Sequence, residues 1–294
     1  MSSVDVHTTR ELARQHKSDL LRSLRLCTLE GIMAMPLVTM SLPVNVFMTA
    51  LVAKAYALPK TTIGLISALP FLGNFLQIAI APPLGRRHPA KVVSIAAAVL
   101  HLLSWVFLGA ALPFIPRDNP TVAGHWLFGW FLVSSILGAI AGVQWNAWVQ
   151  EWVPYRLRGK FFGRRNGMLQ ISTTAFLLVA GWALAEWDYA IPVFQLLIAG
   201  AVLMRIFSIR WQWISPTRVR RTIVTPKLPL ADQIRILLGA RSFLLFVAFG
   251  SVWSFAAYCF GPFYHVFMFE QLQLSALQVG LLSTLDRKST RLNS

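Results

Sequence analysis

Seven apolar stretches, each long enough to cross a lipid bilayer as a helix, constrain this chain more than any other feature. They run over 31–56, 61–83, 92–116, 125–148, 167–187, 190–212 and 242–269, and an eighth starts near 275. The hydrocarbon core of a bilayer takes about twenty apolar residues of helix. Inside it every backbone polar group needs a partner within the protein, so such runs either coil into helices or close into a barrel. Apolar and polar residues do not alternate along them, which argues against a barrel. The expected fold class is therefore all-α and integral to a membrane. Of the 294 residues, 56% are hydrophobic and 13% charged, about half the ~25% charged share of a soluble domain.

The net charge of +16 takes its meaning from position. Five basic residues precede the first stretch: Arg10, Arg14, Lys17, Arg22 and Arg25. Arg86, Arg87 and Lys91 follow the second. Arg156, Arg158, Lys160, Arg164 and Arg165 follow the fourth. Eight more, from Arg205 to Arg241, lie at the end of the sixth and after it. The opposite connections hold only Lys54, Lys60 and Arg117. Basic loops mark the cytoplasmic side, so the N-terminus is expected in the cytoplasm and the protein in a bacterial inner membrane. The same scatter over four loops excludes a nucleic-acid surface, which needs one basic patch. Trp126, Trp130, Trp148, Trp152, Trp182, Trp187, Trp211 and Trp213 fall near the stretch ends, as an interfacial aromatic belt would. The first thirty residues lack a signal peptide's apolar core and cleavage site. Cys27 and Cys259 offer neither a disulfide framework nor metal spacing.

The chain repeats itself weakly at an offset of 216 residues. Ile63-Gly64-Leu65-Ile66-Ser67-Ala68-Leu69 matches Val279-Gly280-Leu281-Leu282-Ser283-Thr284-Leu285, Leu58 matches Leu274, and Phe47 matches Phe263. Between the copies lies a basic loop, 214–240, with Pro216, Pro226 and Pro229 and a short amphipathic piece at 230–238. The reading is an N-terminal cytoplasmic segment (1–29), a first six-helix half (30–213), a linker (214–240) and the start of a second half (241–285). Residues 286–294 back-translate to a common short-read library adapter. They are read as a sequencing artefact, which makes the chain a fragment of a longer product, truncated after the start of an eighth helix.

Six helices, a basic loop and a repeat of the first half resemble the major facilitator superfamily. The segment Pro154-Tyr155-Arg156-Leu157-Arg158-Gly159-Lys160-Phe161-Phe162-Gly163-Arg164-Arg165-Asn166 resembles the Arg-Gly…Gly-Arg-Arg loop of many bacterial members. Gly85-Arg86-Arg87-His88-Pro89-Ala90-Lys91 is a weak form of the family's signature loop, without the usual Asp before the basic residues. The resemblance covers about residues 20 to 285. It implies a twelve-helix bundle whose first, second, fourth and seventh helices line a central cavity.

Polar groups at membrane depth are costly and default to functional candidates. Ser67, Asn74 and Gln77 share one face of the second stretch. Ser135, Gly138, Gly142, Trp145 and Asn146 share one face of the fourth, where Gly138 and Gly142 are spaced for close helix contact. Asn45 sits in the first stretch beside Pro43, and Tyr258 at similar depth in the seventh. Each is a candidate for the cavity wall, against the plainer alternative of an interhelical hydrogen bond. Arg86, Arg87, Arg158, Gly159, Gly163, Arg164, Arg165 and Asn166 are the candidate gate residues. The glycines are expected to give a tight turn, and the arginines to bond carbonyls at helix ends. A topology role alone is the alternative. His101 reads as a packed imidazole. Glu30 and Glu151 are expected at cytoplasmic helix ends, Glu186 and Asp188 at outer ends, and no carboxylate at mid-depth. That leaves an uncharged pocket, suited to a neutral or zwitterionic solute.

Walker, zinc, nucleophile-elbow and dinucleotide motifs are absent, so neither a cofactor nor a metal nor an enzymatic reaction is expected. The expected function is secondary or facilitative transport of a small solute, with or without a coupling ion, by a monomer in the bilayer. The alternatives are a membrane-embedded enzyme, a lipid-handling protein or a solute sensor on the same scaffold.

Overall fold

The computed structural model describes residues 3–42, 45–215 and 230–282. Pro43, most of the linker loop with its three prolines, and the tail 286–294 lie outside the described residues. All regular structure among the described residues is helical.

Helix α1 spans Ser3–Met40 and α2 spans Val46–Thr49, continuing as a π-helical turn over Ala50–Ala55. Helix α3 covers Lys60–Arg87, α4 Ala90–Ala111, α5 Pro120–Trp152, α6 Tyr155–Glu186 and α7 Ile191–Ile214. Helix α8 covers Leu230–Gly239 and α9 Arg241–Glu270, after which a further helix begins at 276. Among the described residues, five segments are long and apolar enough to cross a membrane: Ser18–Met40, Ala90–Phe114, Pro120–Trp152, Tyr155–Glu186 and Ile191–Ile214. Helices α3 and α9, of 28 and 30 residues, stand beside them.

Proline sets most helix starts. Pro59, Pro89 and Pro154 immediately precede α3, α4 and α6, while Pro120 and Pro192 occupy the first turns of α5 and α7. Proline suits that place because its missing N–H would have no helical partner there. The first apolar stretch departs from expectation. It is two helices, with the chain re-entering helix at Asn45. The Asn45 side chain accepts from the Met48 N–H at 2.8 Å and donates to the carbonyls of Thr39 (3.0 Å) and Leu42 (2.7 Å). One buried amide thus caps the new helix and satisfies carbonyls that the break leaves free.

Helix α5 packs between α3 and α4, α1 packs against α6 and α7, and the contact of α4 with α7 joins the two groups. The α1–α7 seam follows a heptad. Ile191, Phe194, Ile198, Ala201, Arg205, Ser208 and Gln212 are all buried on α7, facing a stripe on α1 that includes Cys27, Glu30, Ala34 and Leu37. On α7 the seam is apolar from Ile191 to Ala201 and polar from Arg205 to Gln212.

Two ends can be distinguished. Lys91, Arg158 and the other clustered cations lie at the basic end, and the connections at 56–59, 112–119 and 187–190 lie at the far end. The main core fills the far half, where Trp105 meets Trp130, Phe131 and Phe47 at ring separations of 4.8, 6.5 and 6.4 Å. The tryptophans therefore divide. Trp126, Trp182, Trp187 and Trp213 are exposed as a belt requires, whereas Trp130, Trp148 and Trp152 are buried.

The stretch 154–166 is not a turn. It forms the first three turns of α6, and no described glycine has a positive φ. The reversal happens at Val153-Pro154, and beyond that proline the backbone keeps its bonds internal, as a membrane-bound segment must. Gly159 and Gly163 face open space.

Candidate functional site

A cavity of about 500 Å³ lies between α1, α3, α5, α6 and α7, within the ~300–1,000 Å³ range of small-molecule sites. Its wall runs from Leu42, Pro70 and Ser134 near mid-depth to Trp145, Asn146 and Gln212 toward the basic end. Of the sequence candidates, Asn74, Gln77, Ser135, Trp145 and Asn146 line it together. Ser67 and Asn45 are buried outside its lining, and Asn45 is engaged in the helix break. The side chains of Tyr258 and Arg86 lie outside the described residues.

Gly138 and Gly142 also line the cavity. Gly138 packs beside the His101 ring of α4, 3.5 Å from where an added methyl would sit, but neither glycine makes a backbone-to-backbone contact. That contact falls at Gly73, where an added methyl would come within 2.9 Å of the Ser135 backbone. Gly142 has nothing within 4 Å, so its missing side chain leaves room in the cavity. His101 reaches the wall from α4. Its Nε2 lies 3.2 Å from the Trp105 indole nitrogen and 3.2 Å from Ser41 Oγ. An indole can only donate, so Nε2 is the accepting nitrogen and the ring proton sits on Nδ1.

The largest correction concerns charge. Glu30 is 3% exposed, Arg165 7% and Arg205 6%, and all three meet at the cavity's edge. Arg165 donates to Glu30 Oε2 at 3.3 Å and to the Cys27 carbonyl at 3.2 Å. Ser208 and Gln212 donate to Glu30 Oε1 at 3.2 and 2.8 Å. Arg205 donates to Ser208 Oγ at 3.1 Å and lies 3.8 Å from Glu30 Oε1. The Arg165 guanidinium also stacks 4.3 Å from the centroid of the Trp145 ring, a favourable cation–π geometry. Gly31 makes this possible, because a methyl there would overlap the guanidinium.

At about 1.5 Å per helical residue, Arg165 and Arg205 lie ~15 Å inside the basic ends of α6 and α7. Glu30 is thus not at a helix end, and the pocket is not uncharged. Both readings fail for one reason: the helices run further into the basic segments than hydropathy shows. A helix boundary drawn at 31 excludes Glu30, and counting Arg205 with the loop after α7 hides that it faces the bundle. The missed signal is the heptad, which carries Arg205, Ser208 and Gln212 on the stripe begun by Ile191.

The other gate candidates divide. Arg158 donates to the carbonyls of Gln150 (2.6 Å) and Val153 (3.1 Å) at the end of α5. Lys91 does the same for α7, donating to Trp213 and Ser215 at 2.8 and 2.6 Å. Arg87, Arg164 and Asn166 are exposed.

At the far end α9 is held against the earlier helices. Lys60 pairs with Glu270 at 2.9 Å, Lys54 donates to the Phe269 carbonyl at 3.4 Å, and Phe269 packs against Tyr189. An added methyl on Gly64 would meet the Phe263 ring at 3.2 Å, and one on Gly181 would meet the Ala276 carbonyl at 2.7 Å.

A multi-pass helical bundle around a cavity with buried polar and charged groups has the build of an integral membrane protein, and the family it matches moves small solutes across membranes. The family model described as Major Facilitator Superfamily matches residues 32–285, and the chain belongs to that family. No curated protein matches it. Proteins of this family are in general not enzymes.

Proposed function

We propose that the protein moves a small solute by alternating access between two six-helix halves. The first is 30–213 and the second begins at 241, with 214–240 as the cytoplasmic linker. Transport is secondary or facilitative, and the basic end faces the cytoplasm, in keeping with its excess of Lys and Arg. One observation carries the reading. The cavity extends toward the basic end, while contacts between α9 and the first half lie beyond it toward the far end. Gly64, against Phe263, is about 9 Å further along α3 than Pro70 of the cavity wall. Rocking the halves about the site would part the far-end contacts and bring the basic-end loops together. Arg158 and Lys91 then act as gate residues by keeping the ends of α5 and α7 rigid.

The test needs no knowledge of the solute. Cysteines replace Lys60, Glu270 and Ser135 in a chain with Cys27 and Cys259 changed to Ser, in vesicles of either orientation. A bifunctional thiol reagent first joins 60 to 270, and a membrane-impermeant maleimide then labels 135. Labelling from the cytoplasmic side alone when joined, and from both sides when free, is the expected result. Equal labelling from both sides in the joined protein would overturn alternating access.

A further inference from the structure

We propose that the edge of this cavity binds the acid group of an anionic solute, a carboxylate or a phosphate. The inference rests on the transport reading above and names the solute class.

Charge balance is the first argument. Two guanidiniums, Arg165 and Arg205, share one carboxylate, Glu30. The cluster carries an excess positive charge among groups that are more than nine-tenths buried. A buried charge without a partner is costly, and proteins retain one where a ligand completes it.

Hydrogen bonding gives the second, independent argument and says where the anion sits. Glu30 is already occupied, accepting from Arg165, Ser208 and Gln212. Arg205 is the less satisfied cation: its contact with Glu30 is 3.8 Å, beyond hydrogen-bond reach, and its Nε–H has no partner. The indole N–H of Trp145 is likewise buried and without a partner. Both residues line the cavity. Two orphan donors beside an excess positive charge call for an oxyanion. One orphan acceptor, Gln212 Oε1, leaves a place for a hydroxyl on the same solute. A zwitterion fits less well. Its ammonium would have to approach two guanidiniums while the only carboxylate of the cluster is already engaged by three donors.

Thermal unfolding of the detergent-solubilised protein tests the assignment directly, at fixed ionic strength. The added compounds are inorganic phosphate, benzoate and acetate, with benzamide and acetamide as neutral isosteres and glycine as the zwitterion. At least one anion should raise the midpoint by about 2 °C or more with saturation, while the amides and glycine leave it unchanged. Trp145→Phe keeps an aromatic face for Arg165 and removes the N–H together with the five-membered half of the indole. It should weaken the half-saturating concentration roughly five-fold or more. Arg205→Gln should abolish the response. If Arg205→Gln fails to fold, Trp145→Phe still decides. The proposal is overturned if no anion saturates, if the amides match the anions, or if Trp145→Phe binds as the parent does. Anion binding together with failed alternating labelling at 135 would keep this site and discard the transport mechanism.

Discussion

The far half and the basic half of this bundle use the same helices and the same heptad, yet fill them differently. In the far half the seam is Ile191, Phe194 and Ile198, backed by Trp105, Trp130 and Phe47, with aromatic edges set against faces. Those residues meet through packing contacts between apolar side chains and rings. In the basic half the same stripe carries Arg205, Ser208 and Gln212, and three polar atoms of the cluster and its Trp145 platform have no hydrogen-bond partner. An apolar seam gains by closing completely, whereas a polar seam with orphan groups gains by leaving room for something else. The far half acts as the scaffold that holds helix directions, and the basic half presents the chemistry.

Breaking the scaffold should cost most. Trp105→Ala removes the ring at the centre of the far core and is expected to lower stability by about 3–5 kcal/mol. Thermal unfolding would show it, with the anion half-saturation unchanged in whatever fraction still folds. A matching loss of anion affinity would show that the halves are not separable. Glu30→Gln comes next. It leaves two buried guanidiniums without a carboxylate and should cost about 3 kcal/mol. Adding Arg165→Gln to it should recover much of the loss, since the excess charge then falls back to one. If the double variant is no better than the single, the cluster is held by packing and not by charge. Asn45→Ala removes the helix cap and two donors to buried carbonyls at the break, for about 1–2 kcal/mol. Lys60→Ala should be the mildest, at ~0.5 kcal/mol or less, because Lys60 is mostly exposed and Glu270 partly so. Its effect should fall instead on the labelling of 135, shifting it toward access from both sides.

Much of this contrast could be read before any coordinates. The apolar stretches gave α3 to α7 and α9 to within a turn or so at most ends. The shared faces of Asn74 with Gln77, and of Ser135 with Trp145 and Asn146, were visible as spacing, and these residues do meet at one cavity. What escaped reading was charge placed inside helices. Hydropathy treats an arginine as the end of a span, yet Arg165 lies ten residues inside α6 and Arg205 nine residues from the end of α7. Long side chains near a helix end ordinarily reach for water. These two reach inward because Glu30 waits on α1, and that partnership joins residues 135 apart in sequence. The break at Asn45 escaped for a related reason: a run of apolar residues shows length but not continuity.

Lys91 and Arg158 each close the end of a helix other than their own, or of the one just before it. With the basic end facing the cytoplasm, as proposed, they also belong to the group of cations that instructs the insertion machinery which way round to thread the chain. Moving such charges to the opposite loops is the usual way to invert a membrane protein. Here the same exchange would leave the last carbonyls of α5 and α7 bare. This chain has written its address and its spelling in the same letters, so one cannot be edited without garbling the other.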